Sequence, residues 1–499
     1  MKNILECLEY QEKKVPDKIA FADEKESITY SELLDYSRKI GSCLLKLNTT
    51  NKPIAIYLDK SVNVISAMMG IVYSGNFYVV IDSEMPVDRI KRIFSSLNPV
   101  AIITDSKYSS NLDGYISFDM EECKAYNIDE EGLKTVRANQ IDTDPIYALY
   151  TSGSTGMPKG AIINHRNVLA YSEWAVSTFG IHENTVFGNQ TPFYFSMSVT
   201  DIYATIRAGA TLVIIPKLYF SFPIKLIEFL NERKINTIYW VPSAIGIVSN
   251  YKVFEIEKPK YLKTVLFAGE VMPTKQLNYW IKHLDEDVVF ANLYGPTEAT
   301  DICTYYVVNR KFQDDEPLPI GNHCDNCNVF VVNEQGKLAG RDEQGELYIR
   351  GSFLSPGYYN NPQKTSEAFV QNPLHSAYPE ICYKTGDLVR VNEYGEMMYV
   401  CRKDYQIKHM GYRIELGEIE AAVSSIEGIK ENACVYDDMN DKIVLFYSSS
   451  RLKEDTLIEK LKEKLNHYML PNKLIKQANL PRNQNGKIDR KKLKECILQ

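Results

Sequence analysis

Residues 1–400 alternate short apolar runs with segments that have one apolar and one polar face. The apolar runs that fit buried β-strands include 146–150 (IYALY), 210–215 (ATLVII), 264–268 (TVLFA) and 288–293 (VVFANL). Between them, residues 224–233 place Leu226, Ile227 and Leu230 on one face of a predicted helix. Because apolar strands that alternate with helices are typical of sheets covered on both faces, this region is predicted to be α/β.

The pattern changes near residue 402. A short helix is predicted at 416–423, a strand at 442–447, and a second helix at 456–467 with leucine at every fourth position. Residues 402–499 hold 19 basic and 15 acidic residues, a net charge of +4, which leaves −11 for residues 1–401. We therefore predict a large N-terminal domain over 1–401 and a small α+β domain over 402–499.

Composition narrows the class of protein. The chain has 499 residues, a net charge of −7, 44% hydrophobic residues and 24% charged residues, which is ordinary for a globular protein. A mildly acidic chain gives no support for a nucleic-acid partner. No window approaches 18 apolar residues and the first residues lack the apolar core of a signal peptide, so no membrane span or secretion is predicted. Ten scattered cysteines then indicate reduced thiols in a cytoplasmic protein.

The strongest local signal is the segment 150–160 (YTSGSTGMPKG), which follows the predicted strand at 146–150. Three glycines allow the backbone to approach a ligand closely, and four hydroxyls with one lysine can surround a polyphosphate. The segment is not a P-loop, because Lys159 is followed by Gly160 instead of serine or threonine. The sequence therefore predicts a phosphate-binding loop of another type.

This loop resembles that of the adenylate-forming enzymes, and most closely that of the stand-alone amino-acid adenylation domains of nonribosomal peptide synthetases and D-alanine–carrier-protein ligase. The resemblance continues in order along nearly the whole chain, through ITYSEL (28–33), GNFYVVIDSEMPVDRI (75–90), NLYGPTEAT (292–300), GELYIRG (345–351), YKTGDLVR (383–390), RKDYQIKHMGYRIELGEIE (402–420), YMLP (468–471) and NQNGKIDRKKL (483–493). It implies a ligase with a large N-terminal lobe of αβ-layered subdomains and a small mobile C-terminal lobe.

The resemblance also implies the ATP site and its metal. Glu298 matches the carboxylate associated with Mg²⁺, Tyr294 the residue that stacks on adenine, and Asp387 with Arg402 the ribose contacts. The implied ATP-binding set is Thr151, Ser152, Gly153, Ser154, Thr155, Gly156, Lys159, Gly269, Asn292, Tyr294, Gly295, Thr297, Asp387, Arg402 and Lys487. ATP and Mg²⁺ are the implied cofactors.

Two half-reactions are implied, and each has its own residues in the small lobe. Lys487, in NGKIDR, matches the catalytic lysine, whose charge can bridge the substrate carboxylate and the α-phosphate as these two anions approach. Asp404 occupies the hinge position about which the small lobe turns, although Cys401 replaces the usual glycine just before it. After that turn, Lys408 would act in the site and Gly411 would line the channel for a phosphopantetheine thiol.

The acyl pocket departs from the pattern at one position. Ser196 stands where the family has the aspartate that binds the α-amino group, and a buried ammonium without a carboxylate is costly. The other predicted lining residues are Met197, Thr200, Trp240, Leu266, Ala268, Leu293, Asp301 and Ile302. Three substrates stay open: a β- or ω-amino acid anchored by Asp301, an amine-free aryl, keto or hydroxy acid stacked near Trp240 with Asp301 meeting a hydroxyl, or an α-amino acid in an unusual mode. In a further reading, Asp301 binds solvent or a backbone amide and the alignment is shifted by one residue.

The acceptor of the acyl group is expected to be another molecule. No carrier or condensation domain is found in the sequence, so the predicted partner is a phosphopantetheinylated carrier protein in trans. A small domain of net charge +4 suits an acidic carrier. The alternative reading is an acyl-coenzyme A ligase for an aryl or other small carboxylic acid. A non-catalytic nucleotide-binding scaffold is disfavoured, because Lys487, Glu298 and Asp387 are all present.

Overall fold

The computed structural model describes residues 1–109, 112, 114–151, 158–403, 406–449, 452–482 and 488–497. Its helices are α1 (Ile4–Lys14), α2 (Tyr30–Leu44), α3 (Val62–Tyr73), α4 (Val87–Leu97), α5 (Met120–Lys124), α6 (Glu130–Asn139), α7 (His165–Phe179), α8 (Ser198–Ala208), α9 (Pro223–Glu232), α10 (Pro242–Asn250), α11 (Thr274–His283), α12 (Pro362–Ala368), α13 (Leu416–Ser424), α14 (Glu454–Lys462) and α15 (Arg490–Glu495).

The strands are β1 (Ile19–Ala22), β2 (Ser27–Thr29), β3 (Pro53–Tyr57), β4 (Phe77–Val80), β5 (Ala101–Thr104), β6 (Ser117–Asp119), β7 (Pro145–Thr151), β8 (Lys159–Asn164), β9 (Val186–Asn189), β10 (Thr211–Ile214), β11 (Thr237–Trp240), β12 (Thr264–Phe267), β13 (Val289–Tyr294), β14 (Thr304–Val307), β15 (Asn322–His323), β16 (Cys327–Val332), β17 (Gly345–Gly351), β18 (Gly357–Tyr358), β19 (Phe369–Gln371), β20 (Ile381–Val391), β21 (Met397–Arg402), β22 (Gln406–His409), β23 (Tyr412–Glu415), β24 (Ile429–Asp437), β25 (Lys442–Ser449) and β26 (Lys473–Lys476).

The chain divides into two compact units. The first comprises Met1–Asp82, Pro99–Leu149 and Gly160–Lys403, and the second comprises Ser83–Asn98, Tyr150–Lys159 and Asp404–Gln499. The α/β class predicted from the apolar pattern is confirmed. The two functional domains predicted at 1–401 and 402–499 stay a prediction, and the hinge residue Asp404 lies outside the described residues.

The first unit holds the sheets that matter for the site. Strands β13, β12, β11, β9, β10 and β1 lie side by side and parallel, within a nine-stranded sheet of order β15-β14-β13-β12-β11-β9-β10-β1-β2. A seven-stranded sheet has the order β18-β8-β7-β4-β3-β5-β6. Parallel strands covered on both faces must be apolar throughout, and β10, β11 and β12 are buried along nearly their full length.

Local sequence explains where helices begin. In ITYSEL, Thr29 caps α2: its side chain accepts from the Glu32 N–H, and the Glu32 carboxylate accepts from the Thr29 N–H at 2.8 Å. Asn164 and Asn167 form the same reciprocal cap at the start of α7. The motif at 28–33 is therefore accounted for by helix initiation.

The second unit contains the hairpin β22–β23 and a three-stranded sheet of order β24-β25-β26. The helix predicted at 456–467 is wrong at both ends, since α14 begins at Glu454 and ends at Lys462. Two acidic residues in its first turn suit the positive end of the helix dipole. Beyond its end the chain turns, and Asn466 is extended before the short 3₁₀ helix His467–Met469. Leu465 remains buried with Leu457 and Leu461, so the predicted apolar face is correct although the helix is shorter.

Among the residues that the structure describes, no helix is both long enough and apolar enough to cross a lipid bilayer.

Candidate functional site

The predicted phosphate loop is only partly described. Ser152, Gly153, Ser154, Thr155 and Gly156 lie outside the described residues. Their neighbours are placed: Thr151 ends β7 and Lys159 begins β8. The buried Thr151 hydroxyl has no hydrogen-bond partner among the described residues. A buried hydroxyl without a partner is costly, so this atom is available to a ligand such as a phosphate oxygen.

Several predicted residues lie at the carboxyl ends of neighbouring parallel strands, the edge where open α/β sheets bind ligands. Trp240 ends β11, Gly269 follows β12 by two residues, and Tyr294 ends β13. Gly269 has φ +93°, a conformation that favours glycine. Asn292, near the end of β13, donates to the Pro319 carbonyl at 2.7 Å.

The loop from 295 to 303 joins β13 to β14 and is folded tightly on itself. A Cβ atom on Gly295 would lie 2.3 Å from the Asp301 carbonyl oxygen, so this position accepts only glycine without a shift of the backbone. Across the loop, the Asp301 N–H donates to the Ala299 carbonyl at 2.8 Å, around Thr300 with φ +69° and ψ −42°. This is the rare γ-turn, which is strained for a β-branched residue. Such strain is typical of functional segments.

Glu298 is fully buried in this loop. Its Oε1 accepts a hydrogen bond from the Tyr358 hydroxyl at 2.6 Å, and its carbonyl accepts from the Ser355 N–H at 2.9 Å. Thr297 begins the short 3₁₀ helix Thr297–Ala299 that carries Glu298. The sequence did not single out Tyr358, which lies sixty residues away and is brought to Glu298 only by the pairing of β18 with β8.

Three predicted nucleotide residues meet in one cluster. Asp387 and Arg402 are direct partners across β20 and β21, and Arg402 Nη1 donates to Asp387 Oδ1 at 3.0 Å. The Tyr294 hydroxyl donates to Asp387 Oδ2, and burial with this carboxylate raises the pKa of Tyr294 well above its usual value. Each Asp387 oxygen keeps a second lone pair, so the carboxylate can still accept hydrogen bonds from a diol.

The predicted acyl-pocket residues are buried in the first unit, with the exception of Ser196, which is partly exposed. Ser196 and Met197 lie just before α8, and Thr200 lies in its first turn. The remainder lie on or just after the parallel strands and in the β13–β14 loop: Trp240, Leu266, Ala268, Leu293, Asp301 and Ile302. The Trp240 indole is already engaged, since Nε1 donates to the Gly188 carbonyl at 2.8 Å and the ring packs edge-on against Phe220 and Trp280.

Asp301 is surrounded by hydroxyl groups. Its Oδ2 accepts from Tyr171 at 3.1 Å, from Thr200 at 3.0 Å and from Tyr239 at 3.1 Å. The nearby Ser196 hydroxyl also lowers the pKa of this carboxyl. Burial outweighs these contacts and raises the pKa of Asp301 to about 6. The predicted alternative of a solvent or backbone-amide partner for Asp301 stays a prediction, since these three hydrogen bonds concern Oδ2 alone.

Tyr171 and Tyr239 were not predicted as site residues. Tyr239 lies in the apolar run TIYW of β11, and Tyr171 lies on the buried face of α7. A tyrosine inside a fully buried strand needs a partner for its hydroxyl, and this was the one signal in the sequence. The identity of that partner depends on the packing of α7 and α8 against β11.

A second buried carboxylate, that of Asp201, lies in α8. Asn189 donates to Asp201 Oδ2 at 2.6 Å, and burial raises the pKa of Asp201 to about 8. Lys60 interacts electrostatically with Asp201 and donates to the Gln190 carbonyl at 3.1 Å. Burial lowers the pKa of Lys60 to about 7.

In the second unit, Lys408 and Gly411 lie in the hairpin β22–β23. Lys408 faces Arg413 across the pair, and Met410 and Gly411 form the turn with φ of +52° and +79°. Positive φ at both turn residues is typical of the tight hairpin turn that matches strand twist. Lys487 lies outside the described residues, so its predicted role stays a prediction.

Comparison with known proteins gives the family. The model of AMP-binding enzymes matches residues 8–359. The chain belongs to the AMP-binding enzyme family. It is 31% identical to zwittermicin A synthase ZmaJ of Bacillus cereus, over 98% of this chain and 94% of that protein. It is 30% identical to the D-alanine–D-alanyl carrier protein ligase of Lacticaseibacillus rhamnosus, over 98% of each chain.

Other curated relatives are far longer synthases, of which this AMP-binding chain spans 8–11% of the length. Among solved structures, it matches the Vibrio cholerae adenylation domain AlmE in complex with glycyl-adenosine-5'-phosphate with a TM-score of 0.85, at 22% identity, over 99% of this chain and 97% of that one. At this identity the match shows the fold. The family and the carrier-protein ligases among its relatives make the chain an adenylate-forming ligase that uses ATP.

Proposed function

We propose that this ligase joins a small carboxylic acid of the amino-acid type to AMP, and then transfers the acyl group to the phosphopantetheine thiol of a separate carrier protein. The observation that carries the proposal is the cluster of Tyr294, Asp387 and Arg402, assembled in a chain of this family. The similarity to carrier-protein ligases over 98% of both chains supports the second step. We place this chemistry in the cytoplasm, where thiols stay reduced.

In the first half-reaction, a carboxylate oxygen of the substrate attacks the α-phosphorus of ATP, and pyrophosphate leaves. Asp387 would accept hydrogen bonds from the ribose hydroxyls, with Arg402 holding the carboxylate in place. Tyr294, Gly269, Asn292, Gly295 and Thr297 would surround the adenine, and Thr151 with Lys159 would contact phosphate oxygens. Lys487 would supply the positive charge that stabilises the substrate carboxylate and the α-phosphate as they approach each other.

The donor chemistry at Glu298 fits Mg²⁺. A buried carboxylate is the oxygen ligand that this ion prefers, and Mg²⁺ is commonly held by one or two carboxylates together with substrate phosphates. Tyr358 orients Glu298 by its hydrogen bond to Oε1. When bound, the ion would neutralise phosphate charge.

In the second half-reaction, the thiol gives its proton to water and its sulfur forms a bond to the acyl carbon. The bond between that carbon and the phosphate oxygen breaks, and AMP leaves with the electron pair. We assign Lys408 and Gly411 to this step, with the small domain 402–499 turning about Asp404 between the two reactions. A rigid hairpin turn at Met410 and Gly411 suits a segment that must present Lys408 in one fixed geometry.

The test separates the two half-reactions. Lys487→Ala should lower ATP–pyrophosphate exchange at least a thousandfold, while thioester formation from a supplied acyl-adenylate changes less than threefold. Lys492→Ala is the matched control, because Lys492 is an exposed lysine of α15. Equal loss of both half-reactions in Lys487→Ala would contradict its assignment. Loading of free coenzyme A in preference to a phosphopantetheinylated carrier would contradict the proposed acceptor.

A further inference from the structure

Two sequence motifs that the nucleotide site does not use meet in the second unit. Arg89 lies in GNFYVVIDSEMPVDRI (75–90), and Glu418 lies in RIELGEIE (413–420). Arg89 Nη1 donates to Glu418 Oε1, and the two side chains are almost completely buried, with exposures of 5% and 1%. The two residues are 329 positions apart in the chain, and both belong to the second unit. The fold of this unit, and not local sequence, therefore creates the ion pair.

Helix α4 contributes the arginine from its buried face. The residues that share this face are Arg89, Ile90, Ile93, Phe94 and Leu97. Arg92, one turn further along, donates from Nη2 to the Lys464 carbonyl at 3.0 Å. Two arginines thus bind α4 to two separate parts of the segment 404–499. The chain enters α4 from the first unit after Asp82 and returns to the first unit at Pro99.

The polar atoms of this ion pair are only partly satisfied. Arg89 Nε and Glu418 Oε2 are buried and have no hydrogen-bond partner within the part of the chain that the structure describes. Burial raises the pKa of Glu418, although Arg89 and Arg92 act to lower it. A buried ion pair adds little net stability, because the loss of hydration offsets the attraction, and its best attested use is to fix one arrangement of the segments that it joins.

The segment that this pair fixes includes the hairpin of Lys408. Glu418 lies in the first turn of α13, which directly follows β23. Strand β23 pairs with β22, where Lys408 faces Arg413. At the open end of the hairpin, the Gln406 side-chain amide donates to the carboxylate of Glu415, the residue that precedes α13. The hairpin and α13 are therefore joined at Glu415, and an interaction that holds α13 also holds the hairpin.

We propose that Arg89 is a positioning residue for the second half-reaction: through its ion pair with Glu418 it holds α13 and the hairpin β22–β23 in the orientation in which Lys408 serves the thiol. This inference rests on the proposed function, in which the segment 402–499 turns between the two half-reactions. Both ends of α4 continue into the first unit, so the pair forms in one orientation and separates in the other. Separation returns Arg89 Nε and Glu418 Oε2 to water, which offsets part of the lost attraction.

The test measures the two half-reactions separately in Arg89→Met, which keeps the length of the side chain and removes its charge. Exchange of ATP and pyrophosphate is measured with the best acid among the proteinogenic amino acids, 3-aminopropanoate and 2-hydroxybenzoate. Transfer is measured in a single turnover from the chemically prepared adenylate of that acid to free pantetheine. Transfer should slow about tenfold or more, because a small misplacement of reacting groups is costly, and exchange should change less than about twofold. Equal losses in the two reactions would overturn the proposal.

Further variants separate the ion pair from general effects on folding. Retained exchange shows that Arg89→Met is folded. Arg89→Lys keeps the charge and should stay within about threefold of the wild type in transfer. The double variant Arg89→Glu with Glu418→Arg should exceed either of its single variants about threefold or more in transfer, and a swap no faster than the single variants would overturn the proposal. Arg166→Met is the matched control, because it breaks an exposed ion pair with Asp142, and it should change neither reaction.

A measurement without substrate distinguishes failure of this inference from failure of the proposed function. Spin labels are placed on Lys91→Cys in α4 and Glu459→Cys in α14, two exposed positions, after the exposed Cys401 and Cys496 are replaced by serine. The distribution of distances between the labels should broaden or shift in Arg89→Met but not in Arg166→Met. An unchanged distribution refutes the positioning role while the proposed function stands. If no acid of the panel gives exchange, the proposed function fails, and the role of Arg89 in thiol transfer fails with it.

Discussion

Two buried carboxylates in the same unit are satisfied in opposite ways. Asp387 has a cation: Arg402 bonds one of its oxygens and Tyr294 the other. Asp301 accepts its hydrogen bonds from neutral hydroxyls. Both are almost completely shielded from solvent, with exposures of 4% and 1%. The difference therefore lies in the partners and not in the depth of burial.

The comparison shows that the hydrogen-bond partners of a buried carboxylate determine whether its charge is neutralised. At Asp387 the arginine offsets the charge, so the carboxylate can bind neutral hydroxyls at modest cost. At Asp301 the hydroxyls donate hydrogen bonds to the carboxylate and bring no positive charge. Burial therefore disfavours the ionised form and raises the pKa of Asp301 to about 6. The first carboxylate has a neutralising partner, and the second is held by neutral donors alone.

The largest expected effect is the difference in unfolding free energy between two variants, Asp387→Asn and Asp301→Asn. Asp387→Asn should lower the free energy of unfolding of the first unit by about 3 kcal/mol, because it removes the buried carboxylate to which Arg402 Nη1 donates at 3.0 Å. Asp301→Asn should change it by about 1 kcal/mol or less, because no cation loses a partner. The measurement is urea unfolding followed by the fluorescence of Trp174, Trp240 and Trp280, which all lie buried in this unit. Equal losses of unfolding free energy in the two variants would show that Arg402 does not make Asp387 more important for stability than Asp301.

A somewhat smaller loss of stability is expected from a substitution in the loop from 295 to 303, which connects Tyr294 to Asp301. Gly295→Ala should cost about 1–3 kcal/mol, because the new Cβ would lie 2.3 Å from the Asp301 carbonyl oxygen and force the backbone apart. Exchange activity should fall with it, since Tyr294 and Asp301 lie on either side of this contact.

The control for this loop variant is Gly340→Ala, where the nearest atom to the new Cβ is a flexible Glu343 carboxylate oxygen at 3.6 Å. Its free energy of unfolding should match that of the wild type within the error of urea titration. A Gly295→Ala enzyme as stable and active as the wild type would show that the loop can relax.

The smallest effect is a pH dependence. The pKa of Asp301 is raised to about 6, so the folded state holds a proton that the unfolded state has released. Its stabilising contribution is greatest below the unfolded pKa near 4 and is lost as pH rises through 6. Relative to Asp301→Asn, the wild type should lose about 1 kcal/mol between pH 5 and 7. The surrounding titratable groups, which both proteins share, are Tyr147, Tyr171, Tyr239, Asp201 and Cys324.

The readout is the difference between the unfolding free energies of the two proteins at several pH values. A difference that is flat, or that grows in favour of the wild type as pH rises, would mean that Asp301 is as easily ionised as an exposed carboxyl.

The fold was largely predictable because its strands are short apolar runs with little ambiguity. The predicted strand at 264–268 corresponds to β12 (Thr264–Phe267), and the predicted helix at 224–233 to α9 (Pro223–Glu232). The helix predicted at 456–467 failed at its ends because periodicity reports which residues are buried and not where the hydrogen-bonded helix stops. Leu465 is buried from a turn as effectively as from a helix.

Sequence alone determined the architecture, the family, and the residue types of the predicted nucleotide site, because these depend on local patterns and on motifs whose members lie close in the chain. It also predicted that Ser196 stands at the position of the family's amine-binding aspartate. Only the tertiary structure decided what surrounds Asp301. Tyr171, Thr200, Tyr239 and Asp301 come from two helices, a strand and a loop. Their hydroxyls converge on one carboxylate because α7, α8, β11 and the β13–β14 loop are packed together, and no spacing in the chain encodes that convergence.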